Sequence, residues 1–217
     1  MSFAFPPAPQ SSIPIHGSNL LFPVRRIFCV GRNYNDHVKE MGGVVGRDPP
    51  FFFTKPADAV VSDGKFPYPS RSSDVHHEIE LVVALGPDTG IFAYAVGIDM
   101  TRRDLQAEAK KLARPWDTAK AFDHSAPVSP LVPISATGEL KKAAITLDVN
   151  GQRRQTGNIA EMIWSVPEII AELGSYFELK PGDIIFTGTP AGVGPVQRGD
   201  ILHGAIEGIG TLDVSVM

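Results

Sequence analysis

The chain is predicted to fold as an α+β protein dominated by β structure, and three observations carry that expectation. Short runs rich in valine, isoleucine and phenylalanine, such as Ile79 to Leu85 and Ile91 to Ile98, recur along the sequence with the length and β-branched content of strands. Glycine and proline, 21 and 19 of the 217 residues, fall largely in the connectors and punctuate them as turns. Only two segments carry a longer helical pattern, and strands do not alternate regularly with helices, which argues against a doubly wound parallel sheet.

Taken in order, residues 1–23 are rich in proline and serine. They read as an extended arm that lies along the body or reaches a neighbouring subunit, and residues 24–217 read as a single domain. Arg26 to Val30 is strand-like and leads through Gly31-Arg32-Asn33-Tyr34 into a short helical segment, Asn35 to Met41, which Gly42-Gly43 stops and hinges. Phe51 to Lys55 and Val60-Val61 are strands divided by Pro56, and Phe66 to Ser73 is a proline-punctuated connector. Ile79 to Leu85 is a buried strand, with Ile91 to Ile98 a hairpin's length away. Thr101 to Leu112 is the first longer helix, with Thr101 as N-cap and Asp104 completing a capping-box-like start; Val166 to Leu173, ended by Gly174, is the second. Lys180-Pro181-Gly182-Asp183-Ile184-Ile185 is echoed by Gln197-Arg198-Gly199-Asp200-Ile201-Leu202, a repeat of turn chemistry and not a duplication.

Composition excludes several classes of partner. With 20 basic and 24 acidic residues, a formal charge of −4 and the basic groups scattered, neither nucleic acid nor an anionic membrane has an electrostatic reason to bind. Small molecules are the expected ligands. Cys29 is the one cysteine, so no intramolecular disulfide forms, and its apolar setting makes it a buried thiol of a reducing compartment. The N-terminus lacks a basic region and a continuous apolar core, and the expected location is the cytoplasm.

The chemistry begins with Glu78 and Glu80, two apart on a strand and so on one face, followed by Asp99 beyond the next strand. Carboxylates crowded in an apolar setting must be protonated, paired or coordinated, and an all-oxygen set suits Mg²⁺, Mn²⁺ or Ca²⁺ better than zinc. The bland alternative is the wet face of a strand, and His76 and His77 read as hydrogen-bonded structural groups more readily than as ligands. His37 and Glu40 share a helix face and suit a base with its orienting carboxylate, against a surface ion pair as the alternative. Arg103 and Gln106, three apart on the helix after Asp99, suit a carboxylate clamp. Lys120, among Ala119, Ala121, Trp116 and Phe122, has an apolar setting that a surface lysine does not need. Thr187-Gly188-Thr189-Pro190-Ala191-Gly192-Val193-Gly194 lacks the endings of a nucleotide-binding loop; it offers backbone N–H groups and the Thr189 hydroxyl to an anion.

Together these segments resemble the fumarylacetoacetate hydrolase family in its short single-domain form. The resemblance rests on Cys29-Val30-Gly31-Arg32-Asn33-Tyr34, Phe53-Thr54-Lys55-Pro56, His77-Glu78-Ile79-Glu80-Leu81, Asp99-Met100-Thr101-Arg102-Arg103-Asp104, Lys120-Ala121-Phe122-Asp123 and the glycine-rich run from Thr187. It implies a mixed β-roll with a few short helices, a homodimer, and catalysis by residues 24–217. It also implies Mg²⁺ or Mn²⁺ on Glu78, Glu80 and Asp99, water activation by His37 and Glu40, and charge stabilisation by Lys120. Substrate contacts are implied for Arg32, Tyr34, Arg103, Gln106 and Thr189. The implied reaction is hydrolysis of a C–C bond in a 2,4-dioxo acid. Residues 51–58 and 114–120 look most like members that cleave fumarylpyruvate to fumarate and pyruvate in bacterial gentisate degradation. A general acylpyruvase or an oxaloacetate decarboxylase would share fold and metal, and a non-enzymatic β-domain holding a structural ion is the alternative from another class.

Overall fold

The structure, a computed structural model, describes residues 2–217. Its centre is a six-stranded mixed sheet in the spatial order Val132–Pro133, Ile91–Ile98, Ile79–Leu85, Asp183–Phe186, Arg26–Gly31 and Phe51–Lys55. Asp183–Phe186 runs parallel to Arg26–Gly31, and the other neighbours are antiparallel. Against one face packs a five-stranded sheet of Gln152–Asn158, Ala144–Val149, Ile201–Ile206, Gly210–Val216 and Lys65–Phe66. Leu81, Val83 and Val96 of the first sheet share a core with Leu147, Leu202 and Val214 of the second. The opposite face carries Cys29, Val82, Ala84, Ala95 and Phe186, packed with Ile13, Phe22 and Leu131. Every residue of Ile79–Leu85 is buried, and a strand covered on both faces reads as a continuous apolar run instead of an alternating one. The β-dominated α+β fold with a few short helices is thus the one that forms.

The Pro-rich segment divides in two. Residues 2–10 are exposed, whereas Ser12–Pro14 and Leu21–Pro23 pair as a hairpin that buries Ile13 and Phe22.

Both longer helices differ from expectation at their ends. Thr101–Arg102 pairs with Val75–His77 as a short strand, and the helix is Arg103–Lys111. Thr101 does not cap it, because its hydroxyl accepts from Lys120, and Asp104 accepts instead from the Ser72 hydroxyl and the Ser73 N–H. The second helix, Val166–Tyr176, passes through Gly174. Burial of Val166, Ile169 and Leu173 carries it over that glycine, whose cost of about 1 kcal/mol relative to alanine is small beside such burial.

Its start is a capping box in which Ser165 and Glu168 satisfy each other's backbone N–H groups. The Ser165 hydroxyl and N–H, with Arg47, lower the Glu168 carboxyl from 4.5 to about 2. A depressed folded pKa contributes stability that is present above the ordinary value and lost as the carboxyl protonates. Glu168→Gln is therefore expected to flatten the fall of melting temperature between about pH 5 and pH 2 and to lower the melting temperature at neutral pH. Thermal melts across that range check it.

Candidate active site

The acidic trio sits where the central hairpin opens. Ile79 opposes Ile98 at the end of the ladder, and the Asp99 N–H donates to the Glu78 carbonyl at 2.8 Å, so residues 78 and 99 face each other just beyond it. Glu80 lies two residues along, on the face of Glu78. One carboxylate oxygen of each of the three lies within 4.8 Å of the others, and the residues are 5%, 2% and 0% exposed for Glu78, Glu80 and Asp99. The carboxyl ends of the two parallel strands, Phe186 and Gly31, reach this same end of the sheet, the usual place for a ligand crevice in a sheet with parallel strands.

Two buried lysines and the half-buried Arg103 answer this charge unevenly. Lys120 donates to Glu78 Oε2 at 2.8 Å, to Asp99 Oδ2 at 2.7 Å and to the Thr101 hydroxyl. Arg103 donates to Glu78 Oε1 and, at 2.7 Å, to Gln106 Oε1. Burial works to raise the Glu78 pKa, but Lys120 and Arg103 outweigh it and hold that carboxyl well below the usual range. Glu80 has no cation bonded to it among the described residues. Burial, then Asp99 and Glu78, push it well above 4.5 against the pull of the Gly188 N–H, which donates to Glu80 Oε2 at 2.7 Å. Lys55 Nζ lies 2.8 Å from Asp99 Oδ1, yet that oxygen accepts no hydrogen bond. A buried carboxylate without a cation, beside an unfilled carboxylate oxygen, is a donor set that a hard divalent ion fits.

The trio opens on a cavity lined also by Arg32, His37, Phe51, Arg103, Gln106, Lys110, Trp116, Lys120 and Thr189. The short helix Asn35–Glu40 presents His37 to it, 7% exposed. Glu40 Oε2 holds His37 Nδ1 at 3.1 Å, and Glu40 Oε1 accepts the Gly192 N–H at 2.9 Å. Gly192 has φ +99°, and a Cβ there would overlap the Arg154 carbonyl oxygen. Gly192→Ala is expected to destabilise the fold by about 1–3 kcal/mol and to reduce turnover by loosening Glu40. Paired urea melts and steady-state rates measure the two effects.

A model of the family described as "Fumarylacetoacetate (FAA) hydrolase C-terminal" matches residues 26–217. The chain belongs to the fumarylacetoacetate hydrolase family. It is 42% identical over 205 residues to the oxaloacetate tautomerase YcgM of Escherichia coli, covering 88% of this chain and 93% of that protein. It is 44% identical over 177 residues to a fumarylpyruvate hydrolase of a Ralstonia species, covering 76% and 92%. The crystal structure of fumarylpyruvate hydrolase from Pseudomonas aeruginosa in complex with Mn²⁺ and pyruvate superposes with a TM-score of 0.96 at 49% identity, over 100% of this chain and 99% of that one.

Within this family fold the remaining sequence candidates fare differently. Thr189 lines the cavity and accepts from Gln155 Nε2 at 2.8 Å, which leaves its O–H free to donate inward. Arg103 gives one N–H of each terminal nitrogen to Glu78 and Gln106, while its buried Nε bonds to nothing. All three Lys120 donors are committed, so it acts on the cavity through its charge and not by a spare N–H. Tyr34 is not among the lining residues. It is buried beside a neighbouring pocket with Glu161 and Pro190, its hydroxyl unbonded, and burial followed by the Glu80 and Glu161 charges pushes that phenol up. His76 pairs with Asp74 and His77 with Gln155, so neither joins the carboxylates.

Sequence reasoning missed Lys55, Lys110 and Gln155. Gln155 accepts from the Ile79 N–H and donates to Thr189 and to the Pro190 carbonyl, tying the acidic strand to the glycine-rich loop. Lys55 appeared only inside a motif, and its 3% exposure and link to Asp99 come from strand pairing. Among the described residues no helix is long and apolar enough to cross a membrane.

Proposed function

We propose that this protein is a divalent-cation-dependent hydrolase cleaving the C3–C4 bond of a 2,4-dioxo acid, with fumarylpyruvate giving fumarate and pyruvate. The observation that carries the reading is the His37–Glu40 pair opening on the same cavity as Glu78, Glu80 and Asp99. Similarity to the Ralstonia and Pseudomonas fumarylpyruvate hydrolases supports the choice of substrate. A Mg²⁺ or Mn²⁺ ion on the three carboxylates supplies Lewis-acid stabilisation of negative charge developing at the pyruvyl end.

The chain's own residues supply the rest. His37 accepts a proton from water at Nε2 while Glu40 holds Nδ1 in one tautomer, and the water oxygen adds to the C4 carbonyl. Lys120 lends its buried positive charge to the oxyanion so formed. The C3–C4 bond then breaks, its electron pair leaving with the pyruvyl fragment, which takes up a proton as fumarate is released. The Thr189 O–H and the Gln106 amide orient the substrate carboxylate. The reading brings with it a homodimer, a cytoplasmic location and a place in aromatic degradation.

Similarity to the Escherichia coli oxaloacetate tautomerase favours a second reading, enolisation or decarboxylation of oxaloacetate at the same centre. That chemistry needs the carboxylates but no attacking water. Loss of dioxo-acid absorbance with fumarylpyruvate, run beside oxaloacetate conversion with Mn²⁺ present and then chelated, separates the two. Metal-dependent preference for fumarylpyruvate is expected, and preference for oxaloacetate transfers the function to the second reading.

A further inference from the structure

We infer that Lys110 reads a distal carboxylate on the acyl chain, so that the cavity selects dioxo acids charged at both ends over those with an uncharged acyl group. The inference rests on the hydrolase reading above and names the substrate class for it. Arg103, Gln106 and Lys110 lie three and seven residues apart along one face of the helix Arg103–Lys111, and all three line the cavity. That spacing runs about 10 Å along the helix axis, from Arg103 on Glu78 outward to Lys110 at the mouth. A seven-carbon dioxo diacid, with six C–C bonds, spans roughly 7.5 Å when extended, so a carboxylate at its far end falls within reach of Lys110.

Aromatic rings wall the mouth. Trp116 stands edge-on to Phe51 at 5.4 Å and tilted to Phe53 at 6.0 Å between ring centroids. The Lys110 ammonium lies 5.2 Å from the Trp116 ring, and Arg32 lies 5.9 Å from Phe51. Arg103 and Lys120 of the same cavity, and Lys55 behind it, are each paired with a carboxylate. Among the described residues neither Lys110 nor Arg32 is. Partial desolvation at its exposed position on the rim, followed by repulsion from Arg103 and Arg32, pulls the Lys110 pKa down. Two cations set against one aromatic cluster, with no carboxylate of their own, form a receptor for an anion.

The test compares fumarylpyruvate with acetylpyruvate, which carries the same dioxo-acid head on an uncharged methyl end. Lys110→Met keeps a stem to pack on Trp116, and Lys110→Arg keeps the charge. For Lys110→Met the ratio of kcat/KM for fumarylpyruvate over acetylpyruvate is expected to fall about tenfold, mainly through KM, and Lys110→Arg is expected to restore most of it. A ratio that falls less than fivefold in Lys110→Met overturns the inference. If the wild-type protein turns over neither acid, the hydrolase reading fails on its own. Calorimetric affinities of the Mn²⁺-loaded wild type and Lys110→Met for the same two acids then decide the role of Lys110 by the same ratio.

Discussion

Glu80→Gln is expected to abolish tight Mn²⁺ binding and to lower turnover by about three orders of magnitude, with the fold intact. The substitution keeps the shape of the side chain and an oxygen for the Gly188 N–H, and removes one charge from a cluster that is short of cations at that position. It carries an unusual signature in stability. Because Glu78 and Asp99 repel the Glu80 carboxylate and burial strips its water, the metal-free variant should melt no lower than the metal-free wild type. The rise in melting temperature that Mn²⁺ gives the wild type should be absent. Calorimetry with Mn²⁺, thermal melts and rates on the two proteins test all three. A variant that binds Mn²⁺ and turns over like the wild type would remove the carboxylate trio from the mechanism.

His37→Ala is expected to lower hydrolysis about 10²–10⁴-fold while Mn²⁺ affinity stays close to that of the wild type. His37 is held by Glu40 and makes no hydrogen bond to the three carboxylates. Since Glu40 acts through His37, a variant lacking both should be little slower than His37→Ala alone. Oxaloacetate enolisation, which needs no attacking water, should tolerate the change better than dioxo-acid cleavage does. A fully active His37→Ala would sink the assignment of the base, and equal losses on both substrates would give His37 a part common to the two reactions.

The features that were legible in the sequence are those that local geometry dictates. Ile79 to Leu85 read as a buried strand because, Glu80 apart, its residues are apolar and rich in valine, and Glu78 and Glu80 had to share a face because side chains alternate along a strand. His37 and Glu40 were recognisable as a pair because three residues bring side chains together on a helix. That the acidic side chains could meet across neighbouring strands followed from two apolar runs a hairpin apart, whereas the register of Ile79 against Ile98, which sets Asp99 opposite Glu78, is set by the pairing itself. Where local signals competed with packing, packing won. Thr101 had the chemistry of an N-cap but was drawn into a strand with His76 and onto Lys120, and Gly174 had the look of a helix stop but lies within a helix whose buried face continues.

Sequence spacing alone thus pointed to the β-dominated class and grouped Glu78 with Glu80 and His37 with Glu40, because each depends on residues near one another in the chain; the choice of metal and catalytic roles for them over the bland alternatives came only with the family resemblance. Tertiary structure decided how the charges are shared. Lys55 meets Asp99, Lys120 spans Glu78 and Asp99, and Gln155 joins Ile79 to Thr189 across separate elements of the fold. The same packing put Tyr34 outside the cavity and Lys110 at its rim. Contacts of this kind are set by strand pairing and by which group loses its water, and neither has a period or a spacing that a linear sequence displays.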